Sequence, residues 1–324
     1  MPATRSKKKA QKGKVTASVL NVRRDPSTKR KPIAKLKRGA TVQILESIGN
    51  WYQIKSGNTE GYVSGDYVVV HDHRQVSGFL FERNDLRATP LKPPEEEQLG
   101  FQPGFSGRQK TVVRTWNGQG GLISTLSDFT QIDTSAAVAV LCVESRGKGF
   151  GSDGRMIIRF ENHVFRRQWG KYNQDVFDAH FQYSSQKAWQ NHKFRENPRG
   201  RWMPFHGKQN LEWRVFEFAR NLNEPAAMRA ISMGGTQIMG FNHSRIGYDS
   251  AKEMFDAFQT DIRYHVLGLF DFIKGPGTTS PMVEALQRNN FEAFASFYNG
   301  PGQAARYGHL IESHFEDFND LRTA

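Results

Sequence analysis

The chain reads as α+β and multidomain: a small all-β barrel followed by a mainly α-helical domain. Three observations carry that reading. Short strand-like runs with period-two alternation fill residues 14–70, a proline- and acid-rich stretch erases all periodicity over 71–110, and helical patterns dominate from 111 to 324. At 324 residues, with 37% hydrophobic residues and 24 Phe, the chain has length and apolar content for two cores.

Residues 1–13 lack apolar periodicity and are expected to form a disordered basic tail. The first 40 residues hold fourteen Lys and Arg against one acid, Asp25, which equals the whole net charge of +13; the rest balances at 31 bases and 31 acids. A sequence pI near 9.8 would suggest nucleic acid if the charge were spread over the chain. Confined to one end, it suggests instead an anchoring module with no specific nucleic-acid partner, since such a tail attracts any polyanion: nucleic acid, anionic lipid or anionic cell-wall polymers. A tail that only aids solubility is the plainer alternative. The basic start has no apolar segment after it, so the expectation is a chain made in the cytoplasm without a signal peptide, with any exit provided by something else. No apolar run approaches the length of a membrane span. A lone cysteine, Cys142, excludes an intramolecular disulfide framework and a four-cysteine zinc site.

From Lys14 to Val70, alternation appears in Thr41-Val42-Gln43-Ile44-Leu45 and Tyr52-Gln53-Ile54-Lys55, with Gly39, Gly49, Gly57 and Gly61 between runs. About five short strands in under sixty residues suggest a small barrel, which hides its edges by closing. Leu20-Asn21-Val22-Arg23, Asp25-Pro26-Ser27-Thr28, Gly49-Asn50-Trp51-Tyr52-Gln53-Ile54 and Gly61-Tyr62-Val63 together resemble the bacterial SH3-like domain. The resemblance implies cell-wall binding without catalysis. Trp51, Tyr52 and Tyr62 are candidates for an aromatic contact surface, although core packing is the favoured place for Trp51. Over 71–110, Pro90, Pro93 and Pro94 with Glu95–Glu97 forbid regular structure and suggest a semi-extended linker, with Phe79, Leu80 and Phe81 docking on a neighbour.

In the second part, Asp133 or Thr134 caps a helix through Glu144. Further helices are expected over 208–222, 225–231, 250–273, 282–288, 291–298 and 306–321. The helix 136–144 is apolar on every side, so it is buried, and it ends on Glu144. A carboxyl in apolar surroundings at the negative end of a helix dipole has its pKa pushed upward, as a general acid needs. A salt bridge to Arg146, Arg155 or Arg159 is the bland alternative. Ser232-Met233-Gly234-Gly235-Thr236-Gln237 is glycine-rich between helices, where backbone amides, Ser232 and Gln237 could meet sugar hydroxyls and acetamides. Tyr298-Asn299-Gly300 places a phenol and an amide at another glycine turn.

Residues 112–318 resemble the peptidoglycan-binding N-acetylmuramidases of phage endolysins and related bacterial proteins. The matching pieces are Trp116-Asn117 with Gly120-Gly121-Leu122, Val143-Glu144-Ser145-Arg146-Gly147 with Gly149-Phe150, Arg159 to Phe165, Gln237 to Asn242, and Tyr298 to Gly302. The resemblance implies a lysozyme-like fold, hydrolysis of the β-1,4 bond from N-acetylmuramic acid to N-acetylglucosamine, and Glu144 as proton donor. Ser-Met-Gly-Gly-Thr stands where many relatives carry a Trp-Gly pair, so one sugar contact differs.

A second catalytic carboxylate is expected at Glu161, in a supporting part, with an Arg159 salt bridge as its alternative; Asp153 and Asp175 are also near in sequence. His163 is a candidate substrate contact. His163, His180, His192 and His206 fall in one stretch with Trp189, Trp202 and Trp213, but their spacing matches no compact zinc pattern, so no metal and no cofactor are expected. Two rival readings remain open: a lytic transglycosylase on the same bond, and a non-catalytic wall- or polyanion-binding protein. Origin is open too, between a phage endolysin freed through holin pores and an effector carried by an injection apparatus.

Overall fold

The computed structural model describes residues 11–15, 17–48, 51–71, 78–145, 148–277 and 279–323, in two compact units over 1–75 and 76–324. Most of the expected tail, residues 1–10, lies outside the described residues, as do Gly49 and Asn50.

The first unit is built from β1 (Gln11–Val15), β2 (Val19–Val22), β3 (Ala34–Lys37), β4 (Thr41–Ile48), β5 (Trp51–Ser56), β6 (Thr59–Ser64) and β7 (Val68–His71). Five strands form one antiparallel sheet in the order β6-β5-β4-β1-β7, and β2-β3 form a ribbon. Strand β1 begins inside the segment assigned to the tail, because Lys12 to Val15 pair with β7 and Gln11 to Lys14 with β4. The ribbon joins the sheet where Arg23 and Tyr62 exchange backbone hydrogen bonds of 2.8 Å. Gly61 permits that approach: a Cβ there would lie 2.6 Å from the Arg23 carbonyl oxygen. Alternation sends Val15, Leu20, Val22, Val42, Ile44, Ile54, Val63 and Val68 into one core. A register shift between Ile44 and Glu46 leaves Leu45, which is exposed, without a cross-strand partner. Trp51 is not in this core: it is half-buried, as are Tyr52 and Tyr62, and only Ile54 of β5 is buried.

The second unit runs through α1 (Asn84–Ala88), α2 (Gly107–Thr130), α3 (Thr134–Ser145), β8 (Ile158–Phe160), α4 (Asn162–Gln168), α5 (Gln174–His180), β9 (Phe181–Gln182), β10 (Lys193–Phe194), β11 (Met203–Pro204) and α6 (Gln209–Leu222). It continues with α7 (Glu224–Arg229), β12 (Ile231–Met233), β13 (Ile238–Met239), α8 (Ala251–Thr260), α9 (Ile262–Lys274), α10 (Pro281–Gln287), α11 (Phe291–Tyr298) and α12 (Ala304–Thr323). Helix α3, capped by Asp133, is a buried axis packed by α2 and α12, with Ala136 to Cys142 at most 4% exposed. A second core, rich in Phe, gathers β8, β12, α6, α8 and the β9–β11 insertion.

Two expectations on element boundaries are corrected. Residues 250–273 are not one helix: Asp261 is extended (φ −155°, ψ 137°) and its side chain accepts from the Arg263 N–H, ending α8 and capping α9. The stretch 71–110, expected as a semi-extended linker with Phe79 to Phe81 docked, carries the short helix α1 and is held to the second unit along its length from residue 78 onward. Asp271 accepts from the Leu80 and Phe81 N–H groups, and Lys274 donates to the Gly78 carbonyl. Trp116 donates to the Glu97 carbonyl, Asn117 bonds both backbone groups of Leu99, and the Gly121 N–H reaches Leu91 O at 2.9 Å. A Cβ on Gly121 would lie 2.4 Å from Lys92 O, so the glycine makes the groove that holds the proline segment. Helix α2 starts at Gly107 on a Ser106–Gln109 capping box.

Candidate active site

Glu144 stands one residue before the end of α3, its side chain part-buried where the apolar axis meets the α11–α12 turn. Asn299 Nδ2 donates to Glu144 Oε1 at 3.3 Å. Burial pushes the carboxyl up to about 7, against the smaller lowering by the Asn299 hydrogen bond. Of the alternative partners, Arg155 is paired with Asp153 at 2.8 Å and Arg159 with Glu161 at 2.8 Å, while Arg146 lies outside the described residues. Tyr298 backs the same corner, its ring 5.4 Å from Phe272, over which the Arg245 guanidinium lies at 3.7 Å. Burial, then the Glu144 charge, push the Tyr298 phenol well above its ordinary value. Glu144, Tyr298 and Asn299 are therefore brought together, and Asn299 Oδ1 is buried without a partner.

The glycine-rich wall is the β12–β13 turn. Ser232 Oγ donates to Gln237 Oε1 at 2.8 Å, and Gln237 Nε2 donates to Gly234 O at 2.6 Å. Gln237 holds the left-handed region (φ 51°), so its amide shapes the turn. Ser232 pairs directly with Arg159 across β12–β8, placing both on one face of the sheet.

His265, which sequence reasoning missed, ties these parts together. Its Nε2 donates to Phe258 O at 2.7 Å, and its Nδ1 accepts from the Gly235 N–H at 3.2 Å. Burial holds its pKa down near 4, so it stays neutral. A Cβ at Gly149, just past Glu144, would lie 2.5 Å from its Nδ1, and one at Gly234 2.6 Å from its Cε1. Ile157 completes the link: its N–H donates to Gly149 O, and its carbonyl accepts from the Gly234 N–H. A histidine flanked by apolar residues in α9, with two glycines in separate motifs, was the available signal.

Glu161 follows β8 and is nearly buried. Its Oε1 accepts from Arg159 Nε, and its Oε2 lies 3.4 Å from His163 Nδ1 and 3.5 Å from His192 Nδ1. Burial alone would raise this carboxyl, but His163 and Arg159 outweigh it and hold it below the usual range. The four histidines do not act as one set. His163 and His192 join Glu161, His206 stacks on His192 at 4.5 Å and holds Glu212, and His180 Nδ1 faces the Arg195 carbonyl. Asp153 is engaged with Arg155, and Asp175 is exposed on α5. Trp213 is core, donating to Met156 O, whereas Trp202 lies under Arg195 and Trp189 is exposed.

Residues 133–319 match the family described as N-acetylmuramidase, and residues 18–69 match the bacterial SH3 domain. Among solved structures, the crystal structure of a Burkholderia AP3 phage endolysin is similar at 25% identity, covering 61% of this chain and 70% of that one, with a TM-score of 0.48. No curated protein matches the chain. With the family matched over more than half its length, the chain belongs to the N-acetylmuramidases: it is a glycoside hydrolase of peptidoglycan that carries a bacterial SH3 domain ahead of its catalytic domain.

Proposed function

We propose that Glu144 is the proton donor for cleavage of the β-1,4 bond between N-acetylmuramic acid and N-acetylglucosamine. One observation carries this: the two candidate carboxyls are driven in opposite directions, Glu144 up to about 7 and Glu161 below its ordinary value, whereas the other raised carboxyl, Asp271, is tied up by the Leu80 and Phe81 N–H groups. Such divergence separates an acid that keeps its proton from a carboxylate that keeps its charge. In this reading the Glu144 proton passes to the departing glucosamine oxygen as the bond to muramic acid C1 breaks, and a water adds its hydroxyl to C1 while its proton restores the acid. Asn299 orients the donor, and its unpartnered Oδ1 offers an acceptor to a sugar acetamide or hydroxyl. Ser232 and Gln237 shape the glycine wall along the saccharide, and Tyr298 and His163 line its ends. Glu161 supports the site as an anion, because both its oxygens face cationic or imidazole groups rather than open solvent.

The SH3 unit with its basic N-terminus is, in the same reading, the anchor to anionic wall polymers. Delivery to the wall, through membrane holes or by an injection apparatus, is left to other proteins. Digested peptidoglycan analysed by mass tests the reaction. Fragments ending in reducing muramic acid are the expected product. A 1,6-anhydro end would make the enzyme a transglycosylase, and a reducing glucosamine end would overturn the bond assignment.

A further inference from the structure

Outside the Glu144 corner, one carboxylate oxygen and two imidazole nitrogens converge on each other. Glu161 Oε2, His163 Nδ1 and His192 Nδ1 lie within 4.8 Å of one another. Two of the three, Glu161 Oε2 and His163 Nδ1, are buried with no hydrogen-bond partner beyond their own long approach of 3.4 Å. The third has a fixed tautomer. His192 Nε2 is 2.7 Å from the Ala188 carbonyl, which only accepts, so Nε2 carries the proton and Nδ1 presents a lone pair. Nothing among the described residues puts a proton between His192 Nδ1 and Glu161 Oε2. Nδ1 itself accepts from the Asn162 N–H at 3.3 Å, a long bond.

We infer that Glu161, His163 and His192 bind one divalent d-block cation, of which Zn²⁺ fits best. Two imidazole nitrogens and one carboxylate oxygen suit zinc, whereas Mg²⁺ and Ca²⁺ ask for oxygen donors throughout. Two of the three distances fit as well, and the two Nδ1 atoms lie within 4.8 Å of each other. Ligands about 2.0–2.1 Å from a tetrahedral zinc stand roughly 3.3–3.4 Å apart, and Oε2 is 3.4 and 3.5 Å from the two Nδ1 atoms. The outer contacts are of the kind that orient ligands: Ala188 O holds the His192 ring, and Arg159 Nε holds the other Glu161 oxygen. Arg159 is 45% exposed, so its charge is screened by solvent and does not bar a cation. Three protein ligands leave a fourth position for water.

The ion joins two parts of the chain. Glu161 and His163 come from the β8–α4 joint, and His192 from the β9–β11 insertion, so the ion staples the insertion to the sheet that carries Arg159 and Ser232. This assignment stands whether or not Glu144 is the proton donor, because its readouts are binding and stability.

The test titrates Zn²⁺ into the full-length chain after treatment with a chelator, followed by calorimetry and thermal melting. Saturable binding of one ion per chain is expected. At a hundredfold excess over Kd, Tm should rise by about 5–10 °C, reversed by chelator. His163→Gln and His192→Gln should each weaken binding at least about a hundredfold, while His180→Gln, whose ring faces Arg195 O, should bind as the wild type does. His192 is fully buried, so if its variant does not fold, the part-exposed His163 decides. Absence of saturable binding in the wild type would overturn the assignment. Binding undiminished in His163→Gln would do the same, and would leave Glu161 and His163 as a polar contact without an ion.

Discussion

Replacing Glu144 with Gln removes a proton donor while keeping its volume and its contact with Asn299. Displacement of the carboxyl from 4.5 to about 7 is some 2.5 pH units, which corresponds to about 3 kcal/mol of differential stability as an upper bound. The sign follows from linkage. The folded pKa lies above the unfolded one, so the contribution of Glu144 is fully present below pH 4.5 and is lost as pH rises through 7. Glutamine does not titrate. The variant should therefore melt with the wild type at pH 4 and above it at pH 8, by up to about 6–12 °C for a domain of this size. Wall hydrolysis by the wild type should fall as pH rises past about 7; the variant should lose roughly 10²–10⁴ of the rate below that pH, a gap that narrows as the wild type gives up its proton. Turbidity clearance and calorimetry at the two pH values measure both effects. A variant retaining more than a tenth of wild-type activity, or one whose stability gain is equal at pH 4 and pH 8, would refute the reasoning.

Glu161→Gln should cost less activity than Glu144→Gln and should destabilise by about 1–3 kcal/mol at neutral pH, a loss that shrinks as acid protonates the wild-type carboxylate. Rates from the two variants compared side by side check this, and equal losses would make Glu161 a direct participant. Gly149→Ala and Gly234→Ala both press a methyl onto His265 and should each lower stability by about 1–3 kcal/mol, with wall hydrolysis falling further than stability alone explains. A melting curve within 1 °C of wild type would show that the histidine yields. Deleting residues 1–75 should weaken and flatten the salt dependence of wall pull-down, since exposed charges act over about 8–10 Å at physiological salt, while sparing turnover of short soluble glycans. A truncated protein that folds yet fails on fragments and walls alike would mean that the first unit helps to build the active site.

Period and capping made most of the scaffold legible in advance. The buried axis α3 was readable because Ala136 to Cys142 leave no polar face, and that same absence marked Glu144 as a perturbed carboxyl. Helix α2 was hidden by Gly118, Gly120 and Gly121, whose role is visible only once Pro90 to Lys92 are seen lying against Gly121. The break between α8 and α9 carries neither Gly nor Pro; Asp261 alone makes it, by capping the second helix. For the site, local sequence named Glu144, Asn299, Ser232 and Gln237, and the fold adds which of them bond to each other. It was silent on His265 and on the meeting of His163 with His192, because those contacts span about thirty residues and depend on tertiary packing. Trp51 shows the opposite failure: large and aromatic, it was placed inside, yet its strand turns Ile54 inward and leaves the indole half-exposed.

Direct titration of the Glu144 carboxyl bears hardest on the central claim. With ¹³C-labelled glutamate, the resonance that vanishes in Glu144→Gln should titrate near pH 7, while the one that vanishes in Glu161→Gln should stay ionised to below 4.5. A Glu144 carboxyl that titrates at or below 4.5 would be an ordinary paired carboxylate and would contradict its assignment as the proton donor.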